Sequence, residues 1–262
     1  MYTHISTVQL VLLLVASIGG ALGLGMALGF RYRSSGRGNR ESVGVVQGAL
    51  LGLVGLLLAF GLSMAVGRFE DRRTIVVQEA DAIGTTYLRA QLLSEPTRTE
   101  SMSLLRQYAD AALVLARSTP RSNRFDDRAA ELERLQRALW AMADDAVRAD
   151  PEGTAPRLYA DALNVMIDLH TDRVASLENG VPGPVFILEI LASAVAVGVL
   201  SLYLATLGRP LVSAMLTAGL IVVILFVTFD LDRPRRGFIT VPDGPLASLV
   251  DSMALPPAAA GS

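Results

Sequence analysis

One row of residues in the second of four apolar stretches could form a narrow apolar constriction. Its members lie four residues apart and therefore share one face of a helix: Gly52, Leu56, Phe60 and Met64. If several copies of the chain surrounded an axis, this row would place rings of apolar side chains around it. Such a constriction can gate by dewetting, because a narrow apolar neck does not hold a continuous column of water. The same spacing also fits side chains that face lipid or the core of the chain.

A charged cluster follows this stretch directly. It comprises Arg68, Glu70, Asp71, Arg72 and Arg73. Its three arginines could form a charged mouth that concentrates an ion. The alternative is anchoring, in which arginine side chains reach the lipid headgroups and the mixed charges solvate the end of the helix. Further along the same helix, Glu79, Asp81 and Arg89 are expected on a solvated helix face, and the alternative is that they form pairs between subunits.

Glu189 is the one ionisable residue well inside a predicted span. A carboxylate within a membrane is costly, and it is by default a candidate functional site. Because Glu189 lies only about one turn from the start of its span, the equal alternative is that it reaches the membrane interface. It is the feature that would support a proton-linked transporter.

The fourth apolar stretch ends in the motif FDLDRPRRGFITV, which could hold the chain where it leaves the membrane. Its charged residues are Asp230, Asp232, Arg233, Arg235 and Arg236. Two carboxylates could contribute to a cation site, since hard cations need several oxygen ligands. The neighbouring guanidinium groups compete for the same oxygens. We therefore expect local ion pairs and no metal here.

No residue set in the chain predicts an enzyme. There is no Cys, and the two histidines, His4 and His170, are far apart in the sequence. His170 follows Asp168 on a polar helix and is expected at the surface. No phosphate loop, nucleotide fingerprint, nucleophile elbow or zinc motif is present, so we expect no cofactor. The net charge of -2 gives no indication of nucleic acid.

Small residues recur along one face of each of the first two stretches. In the second stretch they step by three or four residues: Gly48, Gly52, Gly55, Ala59, Ser63 and Gly67. In the first stretch the matching positions are Gly19, Gly20, Gly23 and Ala27. Small side chains let a neighbouring helix come close, so helix packing within the chain is the simplest interpretation. A packing face by itself does not imply a pore.

These residues must be positioned by membrane-spanning helices. The chain has 262 residues, of which 52% are hydrophobic, and its mean hydropathy is +0.44. Four windows are long and apolar enough to cross a bilayer core of about 30 Å, near residues 8–30, 43–66, 185–207 and 211–229. The predicted fold class is all-α, a polytopic membrane protein with a helical soluble insert between the second and third of four transmembrane helices.

The pattern divides the chain into four parts. They are a first transmembrane hairpin (1–66), a helical soluble domain (67–184), a second transmembrane hairpin (185–229) and a C-terminal tail (230–262). The soluble part shows apolar stripes at helical spacing, such as Leu132, Leu135, Leu139 and Trp140. We predict a bundle of about four helices there, the first of which continues the second span without a break. The tail after Pro242 is rich in Pro, Ala and Gly and is predicted to be loose.

Charge gives conflicting signals about the side of the membrane on which the insert lies. An even number of spans puts both termini on the insert's side. That side carries seven arginines near the membrane, namely Arg68, Arg72, Arg73, Arg173, Arg233, Arg235 and Arg236. The opposite side carries five, namely Arg31, Arg33, Arg37, Arg40 and Arg209. The positive-inside rule then favours a cytoplasmic insert by a small margin, while the first hairpin alone favours the reverse.

Two stretches together resemble the bacterial bestrophin-like membrane protein family. They are LLLAFGLSMAVGRFEDRRTIVVQEADAIGTTYLRAQLL (56–93) and FDLDRPRRGFITV (229–241). The resemblance covers most of the chain, including the four spans, the helical insert and the exit from the fourth span.

Bestrophins are pentameric anion channels with four spans per subunit, cytosolic termini and a helical cytosolic domain. Their neck is lined by apolar residues one turn apart on the second span, followed by an arginine. If that arginine corresponds to Arg68, the neck positions fall on Gly52, Leu56 and Phe60. Gly52 departs from the bulky residue expected there, which implies a wider neck. The dense acidic run of calcium-gated bestrophins is reduced here to two aspartates, which argues against calcium gating.

The resemblance thus implies a homo-oligomer, a pentamer, that passes small anions such as chloride across the bacterial plasma (inner) membrane. Its termini and its insert would lie in the cytoplasm, and the lipid bilayer and small anions would be its partners. The alternative is a non-conducting membrane scaffold or sensor, whose helical soluble domain binds a partner and whose spans serve as an anchor.

Overall fold

The structure, a computed structural model, describes residues 6–32, 40–120, 122–209, 212–233 and 237–256. Within these ranges the chain is helical and contains no strand, which confirms the all-α prediction. The helices are α1 (Thr7–Tyr32), α2 (Arg40–Ala90), α3 (Thr97–Arg117), α4 (Asn123–Ala149), α5 (Thr154–Glu178), α6 (Gly183–Leu207), α7 (Val212–Leu231) and α8 (Gly244–Met253).

Four of these helices, α1, α2, α6 and α7, are long and apolar enough to cross a membrane by length and composition. They correspond to the four predicted spans, and residue 211, the predicted start of the fourth, lies outside the described residues. The second of them, α2, is one uninterrupted helix from Arg40 to Ala90, so the second span does continue into the insert as predicted. The chain divides into two compact units. The first is Met1–Phe69 with Gly180–Ile239, and the second is Glu70–Asn179 with Thr240–Ser262.

In the first unit, α1 packs against α6 and α7, and glycines of α1 make the closest approach. A Cβ atom at Gly25 would lie 2.9 Å from the carbonyl carbon of Gly198, and one at Gly29 would lie 2.6 Å from the Cβ of Ala205. Close backbone approach of this kind is a main source of helix association in lipid, where apolar burial contributes little. The prediction that Gly19, Gly20 and Gly23 pack against another helix of the chain was wrong, because a Cβ at these positions would meet no atom within 4 Å.

The hairpin between α6 and α7 follows from local backbone chemistry. Gly208 ends α6 in the left-handed conformation with φ 67°, which glycine adopts without a steric penalty. The N–H groups of Gly208 and Arg209 then donate to the carbonyl groups of Ala205 and Leu204 at 3.1 Å each. These bonds satisfy two carbonyl groups of the last turn, and α7 begins at Val212.

In the second unit, α3 packs against α4 and α8, and α4 packs against α5. Leu132 and Leu139 of the predicted stripe on α4 are fully buried, whereas Trp140 is exposed, contrary to the prediction. The start of α4 is fixed by Ser122, whose Oγ accepts a hydrogen bond from the N–H of Phe125 at 3.2 Å. This is the usual way in which serine satisfies a free donor at a helix N-terminus.

The prediction of a loose tail after Pro242 was wrong for residues 244–253, which form α8. Leu246 and Met253 on this helix are buried. Arg106 donates from Nε to the carbonyl oxygen of Met253 at 3.1 Å, and Arg117 pairs with Asp243 at 2.5 Å. The composition of the tail predicted a loose segment, but the apolar side chains of α8 are buried because this helix packs against α3. Residues 257–262 lie outside the described ranges.

Candidate functional site

The first part of α2 has one face that packs against the chain and one that does not. The packed face carries Val54, Leu58, Gly61 and Ala65, which are buried at alternating steps of four and three residues. The predicted neck row lies on the other face. Leu56, Phe60 and Met64 are 53%, 60% and 40% exposed, and Gly52 is exposed as well. The row therefore does not face the core of the chain, and its surface is available to lipid or to other copies.

The small residues of α2 lie on this same outward side. A Cβ at Gly48, Gly52, Gly55 or Gly67 would have no atom within 4 Å. Packing within the chain, the simplest interpretation of these glycines, is therefore wrong. The row predicted from the sequence missed Gly61, a glycine of this span that fits closely against α6 in the first unit. The signal that could have found it is its position on the same face as the apolar Val54 and Leu58.

Gly61 lies directly against Glu189 of α6. A Cβ at Gly61 would overlap one carboxylate oxygen of Glu189 and would lie 2.6 Å from its Cδ atom. Glu189 is only 2% exposed, so its side chain is buried within the first unit. Neither of its carboxylate oxygens has a hydrogen-bond partner among the described residues. The Oγ of Ser193, one turn further along α6, also has none there. The sequence singled out Glu189 but gave no sign of its contact with Gly61.

The three arginines of the predicted mouth differ in their surroundings. In the first unit Arg68 is half-buried. In the second unit Arg73 is exposed, and its Nη1 atom lies 3.6 Å from Oε2 of Glu70. Arg72, in contrast, is buried, and it donates to the carbonyl oxygens of Ser176 at 3.2 Å and Asn179 at 2.7 Å. A guanidinium at a helix C-terminus is favourable because free carbonyl groups and the negative end of the helix dipole meet there. Arg72 is thus engaged with the end of α5.

The aspartates of the exit motif accept hydrogen bonds from the backbone. Asp230 accepts from the N–H groups of Phe238 at 3.1 Å and Ile239 at 2.9 Å, so both of its oxygens hold the segment that follows α7. Asp232 accepts from the buried N–H of Val181 at 3.0 Å. Arg233 is buried, and Arg235 and Arg236 lie outside the described residues. No group of three or more potential metal-ligating side chains occurs in the described ranges.

The second unit contains a buried polar cluster that the sequence did not predict. Glu79 of α2 pairs with Arg173 of α5, and its other oxygen lies 3.0 Å from Nδ1 of His170. All three side chains are buried, so the expected solvated position of Glu79 and surface position of His170 were wrong. Tyr108 packs edge-on against the His170 ring and accepts a hydrogen bond from Gln136. Burial, with the nearby charge of Glu79, raises the pKa of Tyr108 above its usual range.

This architecture of four apolar helices and a separate helical unit defines the class as a polytopic helical membrane protein. A model of the bestrophin-like domain matches residues 11–246, and the chain therefore belongs to the bestrophin-like family. No curated protein matches the chain.

The fold is similar to two crystal structures of a bacterial bestrophin homolog from Klebsiella pneumoniae. The first, of a variant with a single mutation, has a TM-score of 0.63 at 14% identity and covers 90% of this chain and 96% of that chain. The second has a TM-score of 0.61 at 14% identity and covers 91% of this chain and 95% of that chain. At this identity the likeness shows the fold.

Proposed function

We propose that the protein is an oligomeric channel for small anions, with chloride as the ion and α2 lining the pore. In this proposal five copies surround an axis, as in the bestrophins that the sequence resembles. The neck is formed by Leu56 and Phe60. The observation that supports it best is the outward position of the row on α2, where large apolar side chains are exposed at a spacing of four residues.

The exposed small residues support the assembly part of the proposal. Gly48, Gly55 and Gly67 leave an open surface on α2, where an added Cβ would have no neighbour among the described residues of the chain. A neighbouring subunit could approach this surface closely, as small residues permit in lipid. Leu56, Phe60 and Met64 could then face the axis. At the position of Gly52, one turn before Leu56, the neck would be wider than it would be with a bulky side chain.

Charge near the end of the apolar stretch supports the choice of an anion. Arg68 and Arg73 are the arginines of the predicted mouth that remain candidates for contact with the ion. Basic groups at a pore entrance raise the local concentration of anions, and this effect weakens with added salt. Arg72 has a different role in this proposal, since its guanidinium binds the end of α5.

A second candidate function is a scaffold or sensor, in which the second unit binds a partner. A specific observation favours it. Trp140 is half-exposed and lines a surface cavity of about 320 Å³ together with Glu133, Gln136, Arg137 and Ile167. Exposed tryptophan beside arginine is a frequent composition of protein interfaces.

The subunit count separates the two functions first. Native mass spectrometry of the protein in mild detergent should show five copies if α2 lines an axial pore. A monomer or dimer that persists under the gentlest extraction would contradict the channel proposal. The reason is that α2 can line a central pore only when several copies of the chain close a ring.

Anion efflux from proteoliposomes then tests the neck. Phe60→Ala should change the rate or the selectivity of efflux, because it removes the largest side chain of the row. Leu220→Ala on α7 is the matched control, since Leu220 is 62% exposed and Phe60 is 60% exposed. Equal efflux from both variants and the original protein would remove Phe60 from the neck.

A further inference from the structure

At the contact between Glu189 and Gly61, the carboxyl group has no hydrogen-bond partner in the part of the chain that the structure describes. Both carboxylate oxygens are buried and make no hydrogen bond to the described residues. Buried polar groups are nearly always hydrogen-bonded, so an exception of this kind requires an explanation. The Oγ of Ser193, on the same helix and also fully buried, is a second exception.

Gly61 provides the space that the carboxyl group occupies. Any larger residue at this position would place its Cβ 2.6 Å from the Cδ atom of Glu189 and closer still to an oxygen. A real Cβ does not approach another atom so closely. The backbone of α2 and the side chain on α6 therefore fit together at this point because position 61 is glycine.

The helices of the first unit offer Glu189 no counter-charge along their apolar lengths. Four segments carry no Asp, Glu, Lys, Arg or His other than Glu189 itself: residues 7–30 of α1, 44–67 of α2, 183–207 of α6 and 212–229 of α7. Tyr203 on α6 is the other titratable side chain in these segments. It lies beside Gly44, where a Cβ would be 2.8 Å from its hydroxyl oxygen.

The other charged residues of the first unit that the structure describes lie at or beyond the ends of the apolar lengths. At the end of α7, the carboxylates of Asp230 and Asp232 accept hydrogen bonds from backbone N–H groups. Arg233, the next residue in the sequence, is buried. Arg31, Arg68 and Arg209 lie at the ends of the apolar lengths of α1, α2 and α6. An ionised carboxylate with neither a donor nor a cation is strongly disfavoured in such surroundings, and a carboxyl group there is expected to hold a proton.

We propose that Glu189 and Gly61 form a proton-binding site inside the membrane-spanning unit. With the proton bound, the neutral carboxyl group lies against Gly61 and α2 packs closely on α6. When the O–H bond breaks and the proton passes to water, the electron pair stays on the carboxylate. The new charge then draws in water or a cation, and α2 moves away from α6 at this contact.

Proton release at this site would act on the pore, and this part rests on the proposed function. Phe60 directly precedes Gly61 in α2 and lies on the outward face. A displacement of α2 at Gly61 therefore also displaces the proposed neck. The site would make anion conductance depend on pH through a residue that does not itself touch the ion.

Infrared difference spectroscopy of the detergent-purified protein tests the site without any need for conduction. The carbonyl stretching band of a protonated carboxyl group should be present at low pH and disappear as the pH rises, and Glu189→Gln should lack it. Identical spectra of the two proteins at every pH would overturn the site. If this carbonyl band keeps the same intensity at every pH at which the protein is folded, Glu189 does not release its proton, and that part of the proposal is overturned. If Glu189→Gln does not fold, Glu189→Asp should move the titration of the band to a different pH.

Anion efflux from proteoliposomes tests the coupling to the pore. Efflux through the original protein should change with pH, and Glu189→Gln should remain at the level that the original protein shows at low pH. Unchanged pH dependence in Glu189→Gln would overturn the coupling. If the original protein carries no efflux at any pH, the proposed channel function fails, and the infrared titration still decides whether Glu189 binds a proton.

Discussion

The carboxylate of Glu79 on α2 and the guanidinium of Arg173 on α5 form a buried ion pair that joins two helices of the second unit. Both groups have further partners. His170 lies 3.0 Å from the other oxygen of Glu79, and Arg173 also donates to the carbonyl oxygen of Ala112 at 3.3 Å. A buried pair is tolerated only when its remaining polar atoms are also satisfied, and this arrangement meets that condition.

Removal of Glu79 should strongly destabilise the protein. Glu79→Ala leaves Arg173 buried without its counter-charge, for which a cost of about 3–5 kcal/mol is expected. The measurement is the midpoint of thermal unfolding in detergent, followed by circular dichroism. Asp81→Ala is the control, because Asp81 is an exposed carboxylate two residues further along α2 and should change stability by less than about 0.5 kcal/mol. Equal effects of both variants would contradict the importance of the pair.

Arg72 and Arg73 should separate a structural role from a role at the mouth. Arg72→Ala removes the bonds to the end of α5 and should cost about 1–3 kcal/mol in stability. Arg73→Ala breaks only an exposed pair with Glu70, for which about 0–1 kcal/mol is expected. If Arg73 attracts anions, its removal should lower efflux at low salt and have less effect at high salt. If Arg73→Ala were less stable than Arg72→Ala, the structural role would belong to Arg73 and not to Arg72.

A bulky residue at Gly52 should restore the missing level of the neck. Gly52→Leu adds a side chain where no atom lies within 4 Å, so the fold of the subunit should be unaffected. If the row faces an axis, the added side chain narrows the pore and anion efflux should fall sharply. Gly219→Leu on α7 is the matched control, because Gly219 is also exposed and has no atom within 4 Å of a Cβ. Efflux that is the same in both variants would place Gly52 away from the pore.

Two glycines of the apolar helices should respond oppositely to alanine. Gly61→Ala forces a Cβ into the carboxyl group of Glu189, and overpacking of this kind costs about 1–3 kcal/mol. Gly219→Ala on α7 meets no neighbour and should instead stabilise the helix by about 0.5–1 kcal/mol. Thermal unfolding of the two variants measures both effects. A Gly61→Ala protein as stable as the original would show that the side chain of Glu189 can move aside without cost.

The four apolar helices were predictable because a span needs only local information. A run of about 20 apolar residues is sufficient to identify each one. The continuation of the second span into the insert also followed from the sequence, since no helix-breaking residue interrupts α2 after Arg68. The apolar row at Leu56, Phe60 and Met64 was likewise readable from its spacing, although its direction was not.

The partners of individual side chains became known only from the packing of the helices. Glu79 and His170 are 91 residues apart in the sequence, and Arg72 and Asn179 are 107 apart. Helical periodicity tells which residues share a face, but it does not tell which face meets a neighbour. For the same reason the sequence could not distinguish Gly61, which fits against Glu189, from Gly52 and Gly55, which face outward. The amino-acid pattern was sufficient to identify the helices and the segments that can span a membrane, because both depend on local composition. The packing of those helices selected the contacts, since these depend on side chains brought together from distant parts of the chain.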